Sequence, residues 1–232
     1  MRQELSSILD ATLRYAGAVQ EEEIRDRLRV YLGEEELDAG TLRDISAYMD
    51  ILQRWNARIN LTAIRDPRQI VARHFGESLF AARNLLRRGS TLAVIDVGSG
   101  AGFPGIPLKL FARGIHLTLI EAHGKKATFL REVVRALGLE AVQVLNARAE
   151  DCTLRAPLVT MRAVENMEAI LPAALKLAAE PGWLALLTSE GRLRSAQRLL
   201  EGVWEVREVP APTDNAGDPE AAGGVLAVRS SY

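Results

Sequence analysis

From about residue 91 onward the chain alternates short, almost wholly apolar segments with amphipathic ones, and that alternation leaves few folds open. Leu92–Val97, Ile115–Ile120, Val142–Leu145, Leu158–Met161, Trp183–Thr188, Val203–Val209 and Val225–Arg229 read as strands. Helices fit between the first six, at roughly 104–113, 124–137, 165–179 and 190–201, while 146–157 has no clear period. Near-continuous apolar strands need cover on both faces, so the spacing predicts a mostly parallel sheet with helices on either side. No helix fits between the last two strands. Their connection, Pro210 to Gly224, is rich in Pro, Gly and Asp and predicts a long loop joining an antiparallel pair. The fold class is α/β, and seven strands ending in such a pair differ from the six-stranded parallel sheet of a dinucleotide fold.

Before residue 91 the period is helical. Leu42, Ile45, Met49, Leu52, Trp55 and Ile59 recur at steps of three and four and form one apolar face. Asp66-Pro67 predicts an N-cap with Pro in the first turn, opening a helix through Ile70, Val71, Phe75, Leu79 and Leu86. Two further helices are expected at 4–16 and 21–32. The domain reading is therefore a helical extension over 1–90 followed by a sheet domain over 91–232.

Composition narrows the class. With 232 residues, 48% hydrophobic and 25% charged, the chain is too apolar for disorder and too mixed for a fibre or rod. The single cysteine, Cys152, excludes an intrachain disulfide and a Cys-rich zinc site. No apolar run approaches the roughly 18 residues of a membrane span. MRQELSSILD lacks the basic start and apolar stretch of a secretory leader, so a cytoplasmic location with no membrane partner is expected. The net charge of −1 hides an asymmetry: residues 1–50 carry 6 Lys/Arg against 12 Asp/Glu, whereas 51–90 carry 8 against 2. Such a local cationic stretch suits a polyanion, although an unevenly decorated solvated surface gives the same numbers.

The segment Ala93-Val-Ile-Asp-Val-Gly98-Ser-Gly100-Ala-Gly102-Phe-Pro-Gly105 runs from a strand through glycines into a helix. Glycines there permit positive φ and let a ligand approach backbone without meeting a Cβ. The first strand of an open α/β sheet delivers this turn to the switch point, where ligands bind. Gly100, Gly102 and Gly105 satisfy G-x-G-x-x-G, so a nicotinamide cofactor has to be weighed, on a weak signal. The other register, Asp96-x-Gly98-x-Gly100-x-Gly102, resembles that of the class I S-adenosylmethionine-dependent methyltransferases, as does the strand count. Glu121 ends the next strand, placed to accept from ribose hydroxyls in either fold. Strand count and Asp96 favour the methyl donor.

Asn146-Ala-Arg148-Ala149-Glu150 follows the third strand, where methyltransferases usually contact adenine; a loop salt bridge between Arg148 and Glu150 fits the spacing as well. No Asn/Asp-Pro-Pro-aromatic motif for amine methylation follows the fourth strand, which continues Val159-Thr-Met-Arg162-Ala-Val-Glu165-Asn. Cys152 follows Asp151, outside the Pro-Cys context of carbon methylation. His74, His116 and His123 show no metal-ligand spacing, and none is expected to hold a metal. A methyltransferase without an evident base or nucleophile suits an acceptor that already has a lone pair.

Leu52-Gln-Arg-Trp55-Asn56-Ala-Arg-Ile-Asn60-Leu61-Thr62-Ala, Arg73-His74-Phe-Gly-Glu77-Ser78-Leu, Asp96–Pro107, Gly124-Lys125-Lys126 with Phe129-Leu130, Arg148-Ala-Glu150 and Arg162-Ala163 occur in that order. Together they resemble the ribosomal RNA small subunit methyltransferase G family, also called glucose-inhibited division protein B, over roughly residues 40 to 190. The resemblance implies methyl transfer from S-adenosylmethionine to N7 of a guanine in 16S rRNA of the 30S subunit; a monomer is expected. It implies cofactor contacts at Gly98, Phe103, Ala149, Glu150 and Arg162, to which class analogy adds Asp96, Gly100 and Glu121. Arg162 would orient cofactor or base; the plainer alternative is a buried arginine paired with an acid such as Glu77. Phosphate contacts would come from an arginine-only stretch, chiefly Arg54, Arg58, Arg65 and Arg73, with His74 beside them.

Two departures stand out. Glu77 occupies the place of the family's usual aspartate, and Thr188-Ser189-Glu190-Gly191 puts an anion where Lys-Gly is usual, which is expected to weaken phosphate binding. Other acceptors, a protein or a small molecule, and a non-catalytic ribosome-binding module remain open at the level of sequence.

Overall fold

The computed structural model describes residues 19–162, 167–200, 204–210 and 223–230. Helix α1 (Glu21–Leu32) and helix α2 (Ala39–Asn56) come first. Leu42, Ile45, Met49 and Leu52, the expected apolar stripe of α2, are all buried. The Asp38 carboxylate caps α2 by accepting from the Thr41 amide at 2.7 Å, and that bond holds its pKa below the usual value. Asp66 caps the next run in the same way, accepting from the Arg68 amide at 2.8 Å with Pro67 at the first helical position.

That run, α3, has three parts: Pro67–Gln69, a π-helical stretch Ile70–Gly76, and Glu77–Leu85. The spacing predicted an ordinary helix here. The wider turn occurs where Gly76 meets α1, since a Cβ on Gly76 would lie 2.5 Å from the Tyr31 ring. The expected helix at 4–16 and most of the connection between Pro210 and Gly224 lie outside the described residues.

The sheet strands are β1 (Ala93–Val97), β2 (His116–Ile120), β3 (Val142–Leu145), β4 (Ala156–Arg162), β5 (Ala178–Ser189), β6 (Trp204–Pro210) and β7 (Gly223–Ser230). They form one seven-stranded sheet in the order β3-β2-β1-β4-β5-β7-β6. The first five in that order are parallel neighbours, and β7 runs antiparallel to both β5 and β6, as the missing last helix predicted. Helices α4 (Gly105–Phe111), α5 (Gly124–Ala136), α6 (Met167–Leu177) and α7 (Glu190–Leu200) fill the expected crossovers. The undefined 146–157 crossover holds only a 3-10 turn, Ala149–Asp151.

Two hydrophobic clusters divide at the sheet. One joins α1, α2 and α3 with α4, α5 and side chains such as Val94, Leu117, Leu119 and Leu158. The other joins α6 and α7 with Ile95, Val97, Ile120, Val159 and Met161 on the opposite face. The N-terminal helices thus complete one face of the sheet. Among the described residues, no helix is long and apolar enough to cross a membrane.

Candidate active site

The strand order reverses between β1 and β4, and the glycine turn lies at the C-terminal end of β1 beside that point. Gly98, Gly100 and Gly102 have φ of 66°, 54° and 89°, the left-handed region that a side chain resists. The amides of Gly98 and Ser99 donate to the Ile120 carbonyl at 2.9 and 3.1 Å, which ties the turn to the end of β2. Glu121, just beyond β2, is buried, and its carboxylate accepts from the Gly100 amide at 2.8 Å and the His123 amide at 2.7 Å. It therefore joins the glycine turn to the start of α5. Asn146, beyond β3, donates through Nδ2 to the carbonyls of Glu121 and Ala122, both at 2.9 Å. Next to it Ala149 is buried, whereas Arg148 and Glu150 are exposed and form no ion pair with each other.

Asp96 is fully buried near the end of β1, opposite Thr160 of β4, whose hydroxyl donates to Oδ1 at 2.8 Å. Oδ2 is also buried and has no hydrogen-bond partner. Gly105 passes so close that a Cβ there would lie 2.8 Å from this oxygen. Burial lifts the Asp96 pKa to about 6, against the opposing pull of Thr160, Ser99 and the Gly105 backbone, with the Glu121 charge adding to the rise.

Arg162 closes the end of β4. Its guanidinium donates to Glu77 Oε2 at 2.7 Å, to the Arg73 carbonyl at 2.6 Å, to the His74 carbonyl at 3.3 Å and to Ser78 Oγ at 3.4 Å. The plainer alternative for this residue is thus realised: Arg162 clamps α3 to the sheet, with its charge also facing the Phe103 ring at 5.9 Å. Burial lowers its pKa and Glu77 opposes that shift. Glu77 also takes Arg73 at 3.1 Å, so one acid holds both arginines.

Phe103 contributes backbone rather than an open ring to the turn. Its side chain is buried between His74, with centroids 4.8 Å apart, and Tyr48, 5.3 Å apart. The His74 Nε2 is 2.7 Å from Thr62 Oγ1, and its Nδ1 is buried without a partner. Burial first, then the charges of Arg162 and Arg73, holds this imidazole neutral with a pKa of about 2. Arg73 and His74 were expected beside Arg54, Arg58 and Arg65 on an RNA-facing surface; in the π-helical stretch His74 stacks on Phe103, and Arg73, partly exposed, pairs with Glu77. Arg54, Arg58 and Arg65 are exposed. Arg65 donates to the Asn56 carbonyl at 3.0 Å, and Asn56 holds the following loop by accepting from the Leu61 and Thr62 amides at 2.9 and 3.0 Å. Tyr48 and Thr160 did not stand out in the sequence, because a tyrosine on an apolar stripe and a threonine in a strand read as packing.

Among the described residues, no group of His, Cys, Asp and Glu is arranged to hold a metal ion. The site has two distinctive parts: a glycine cradle flanked by the acid Glu121, and a buried carboxylate, Asp96, one of whose oxygens has no hydrogen-bond partner.

The sequence model of the rRNA small subunit methyltransferase G family matches residues 41–201. A protein of that name from Stenotrophomonas maltophilia (strain K279a) is 39% identical over 175 residues, 75% of this chain and 80% of the relative. One from Halorhodospira halophila is 40% identical over 182 residues, 76% of this chain and 84% of the relative. Among solved structures, the ribosomal protein L11 methylase of Lactobacillus delbrueckii subsp. bulgaricus superposes with a TM-score of 0.56 at 15% identity, covering 69% of this chain and 80% of that one. The M. jannaschii TYW2 structure in complex with AdoMet gives 0.52 at 14% identity, covering 75% and 78%. The reversed strand order, the antiparallel end of the sheet and the acid-flanked glycine turn define a class I S-adenosylmethionine-dependent methyltransferase. Within that class, the chain belongs to the rRNA small subunit methyltransferase G family.

The residues present fit that cofactor. The orphaned Asp96 oxygen favours a positive ligand, and the left-handed glycines leave the turn without side chains that would block a ligand's approach to its backbone.

Proposed function

We propose that this protein transfers a methyl group from S-adenosylmethionine to N7 of a guanine in the 16S rRNA of the 30S subunit. Family membership supports the acceptor, and one structural observation supports the chemistry: among the described residues, the titratable groups at the ends of β1 and β4 are not available to take a proton. Asp96 is walled in, the His74 imidazole is stacked and held neutral, and Glu77 is committed to two arginines. Guanine N7 carries an in-plane lone pair and no proton, so its attack needs no general base. S-adenosylmethionine, when bound, supplies an electrophilic methyl group on a sulfonium.

The chain's own contribution is orientation and exclusion of water, which can recover about 7–11 kcal/mol of such a barrier. The glycine turn, Glu121, Ala149 and Glu150 hold the donor, with Asp96 supplying negative charge behind the turn. Arg162 acts as a positioning residue, fixing α3 to the sheet with its charge facing the Phe103 ring. N7 lies on the major-groove edge, which is more accessible in a loop or an unstacked base than in A-form duplex. Arg54, Arg58 and Arg65 on the 51–90 stretch contact phosphates, while 91–232 carries the cofactor. The protein works in the cytoplasm as a monomer.

Mass spectrometry of 16S rRNA from a strain lacking the gene tests this. Loss of one 7-methylguanosine, restored by a plasmid copy, is the expected result; unchanged 7-methylguanosine refutes it.

A further inference from the structure

Three successive residues of the glycine turn take their positions from one side chain that no motif marks. Tyr48 sits in the middle of α2 and is completely buried. Its hydroxyl donates to the Ala101 carbonyl. Its ring stacks on Phe103, with centroids 5.3 Å apart and planes 10° apart. Phe75 meets both rings edge-on, at 5.2 and 5.1 Å, and locks the stack from the side. Between Ala101 and Phe103, Gly102 adopts φ of 89°, and a Cβ there would collide with the same hydroxyl.

We infer that Tyr48 is the positioning residue of the cofactor turn, its hydroxyl setting the Ala101–Gly102 peptide and its ring setting Phe103, so that S-adenosylmethionine meets a preformed cradle. The inference rests on the assignment of this turn as the cofactor site. The reasoning is conformational. Left-handed glycines have many backbone states, and a turn containing three of them is specified only by what anchors it. The first half of the turn is held by the Ile120 carbonyl and the Glu121 carboxylate; the Ala101–Phe103 half is held from α2 by the Tyr48 hydroxyl and ring. Burial raises the phenol pKa well above its ordinary value, so the hydroxyl remains a donor at every working pH. Removing that donor leaves the Ala101 carbonyl buried and unpaired, and the peptide is then free to rotate. Affinity falls by the fraction of molecules that still hold the competent turn.

The test is isothermal titration of the full chain with S-adenosylhomocysteine, together with steady-state methylation of 30S subunits. Tyr48→Phe, which keeps the ring, is expected to raise the Kd and the cofactor KM about tenfold. The KM for 30S subunits and kcat at saturating cofactor should stay within about twofold, a split that general destabilisation does not produce. Leu177→Val, in the core on the opposite face of the sheet, controls for lost stability and should leave the Kd unchanged. Phe103→Leu removes the stacking partner and keeps the hydroxyl contact; it is expected to weaken binding several-fold and provides a second variant should Tyr48→Phe not fold. Wild-type protein that fails to bind S-adenosylhomocysteine would overturn the site assignment itself. Wild-type protein that binds, with Tyr48→Phe and Phe103→Leu both binding equally well, would overturn the role of Tyr48 alone. An equal loss of affinity in Leu177→Val would do the same.

Discussion

The buried carboxylate of Asp96 makes a prediction in which stability and function move in opposite directions. Replacing it with asparagine keeps the size and the acceptor for Thr160 but removes the charge. The wild-type pKa rises from 3.8 to about 6 because the ionised form is desolvated. At 1.36 kcal/mol per pH unit, holding that charge in the folded state costs about 3 kcal/mol. The pKa is raised, so the folded protein binds this proton more tightly than the unfolded chain. The penalty is therefore fully present above about pH 6, shrinks as the pH falls from there towards 3.8, and is absent below. Asp96→Asn also carries a pH-independent cost, because its amide N–H groups enter the unpartnered Oδ2 position. The difference between variant and wild type across pH cancels that cost. Urea denaturation at pH 4 and pH 8 should show the variant gaining about 2.5 kcal/mol relative to wild type at the higher pH, equivalent to about 5–10 °C in melting temperature for a chain of this size. The same variant should bind S-adenosylmethionine at least about tenfold more weakly, having lost the negative charge behind the glycine turn, with a smaller loss for S-adenosylhomocysteine, whose thioether is neutral. A stability difference that is flat with pH would refute the argument that Asp96 is ionised above about pH 6 and that its burial then weighs against the folded state.

Glu77→Gln leaves the Arg162 guanidinium buried with only carbonyl and hydroxyl partners and should cost about 3 kcal/mol in denaturant unfolding. Asn56→Ala releases the loop amides of Leu61 and Thr62 and should lower stability by about 2 kcal/mol while weakening 30S binding, read by calorimetry and filter binding. Arg58→Ala should weaken 30S binding and reduce the slope of log affinity against log salt by about 1, with the Kd for S-adenosylhomocysteine unchanged; an unaltered slope would remove Arg58 from the phosphate contacts.

Most of the fold was legible because its elements are specified locally. Leu92–Val97 and Val142–Leu145 fall within a residue of the observed strands, each apolar run being bounded by turn residues. Strand ends were less legible where pairing extends them. β4 begins at Ala156 because Ala156 pairs with Ala178, across an irregularity in register, and no residue type announces that pairing. The π-helical stretch was invisible for a related reason. Where it ends, Gly76 of α3 packs against Tyr31 of α1, a contact between elements 45 positions apart that no local pattern announces. Within it Arg73 pairs with Glu77 and His74 stacks on Phe103.

The site divides along the same line. Gly98, Gly100, Asp96 and Glu121 were readable because a strand end, a left-handed turn and an acid at the next strand end have a fixed spacing. The parts that could not be read are the hydrogen bonds between the two halves of the chain: Tyr48 to Ala101, and Arg162 to Glu77 and the α3 carbonyls. They explain why a boundary near residue 90, clear in hydrophobic period, does not mark a break in the molecule. The glycine turn is encoded after that boundary, but its floor and one wall come from before it. Every member of the Tyr48, Phe103 and His74 stack is buried or nearly so, and Arg54, at the end of α2, and Arg58 and Arg65, in the loop that follows, are exposed. If those arginines take the phosphates as proposed, a substitution in this packed unit is expected to disturb whichever ligand its own hydrogen bonds face.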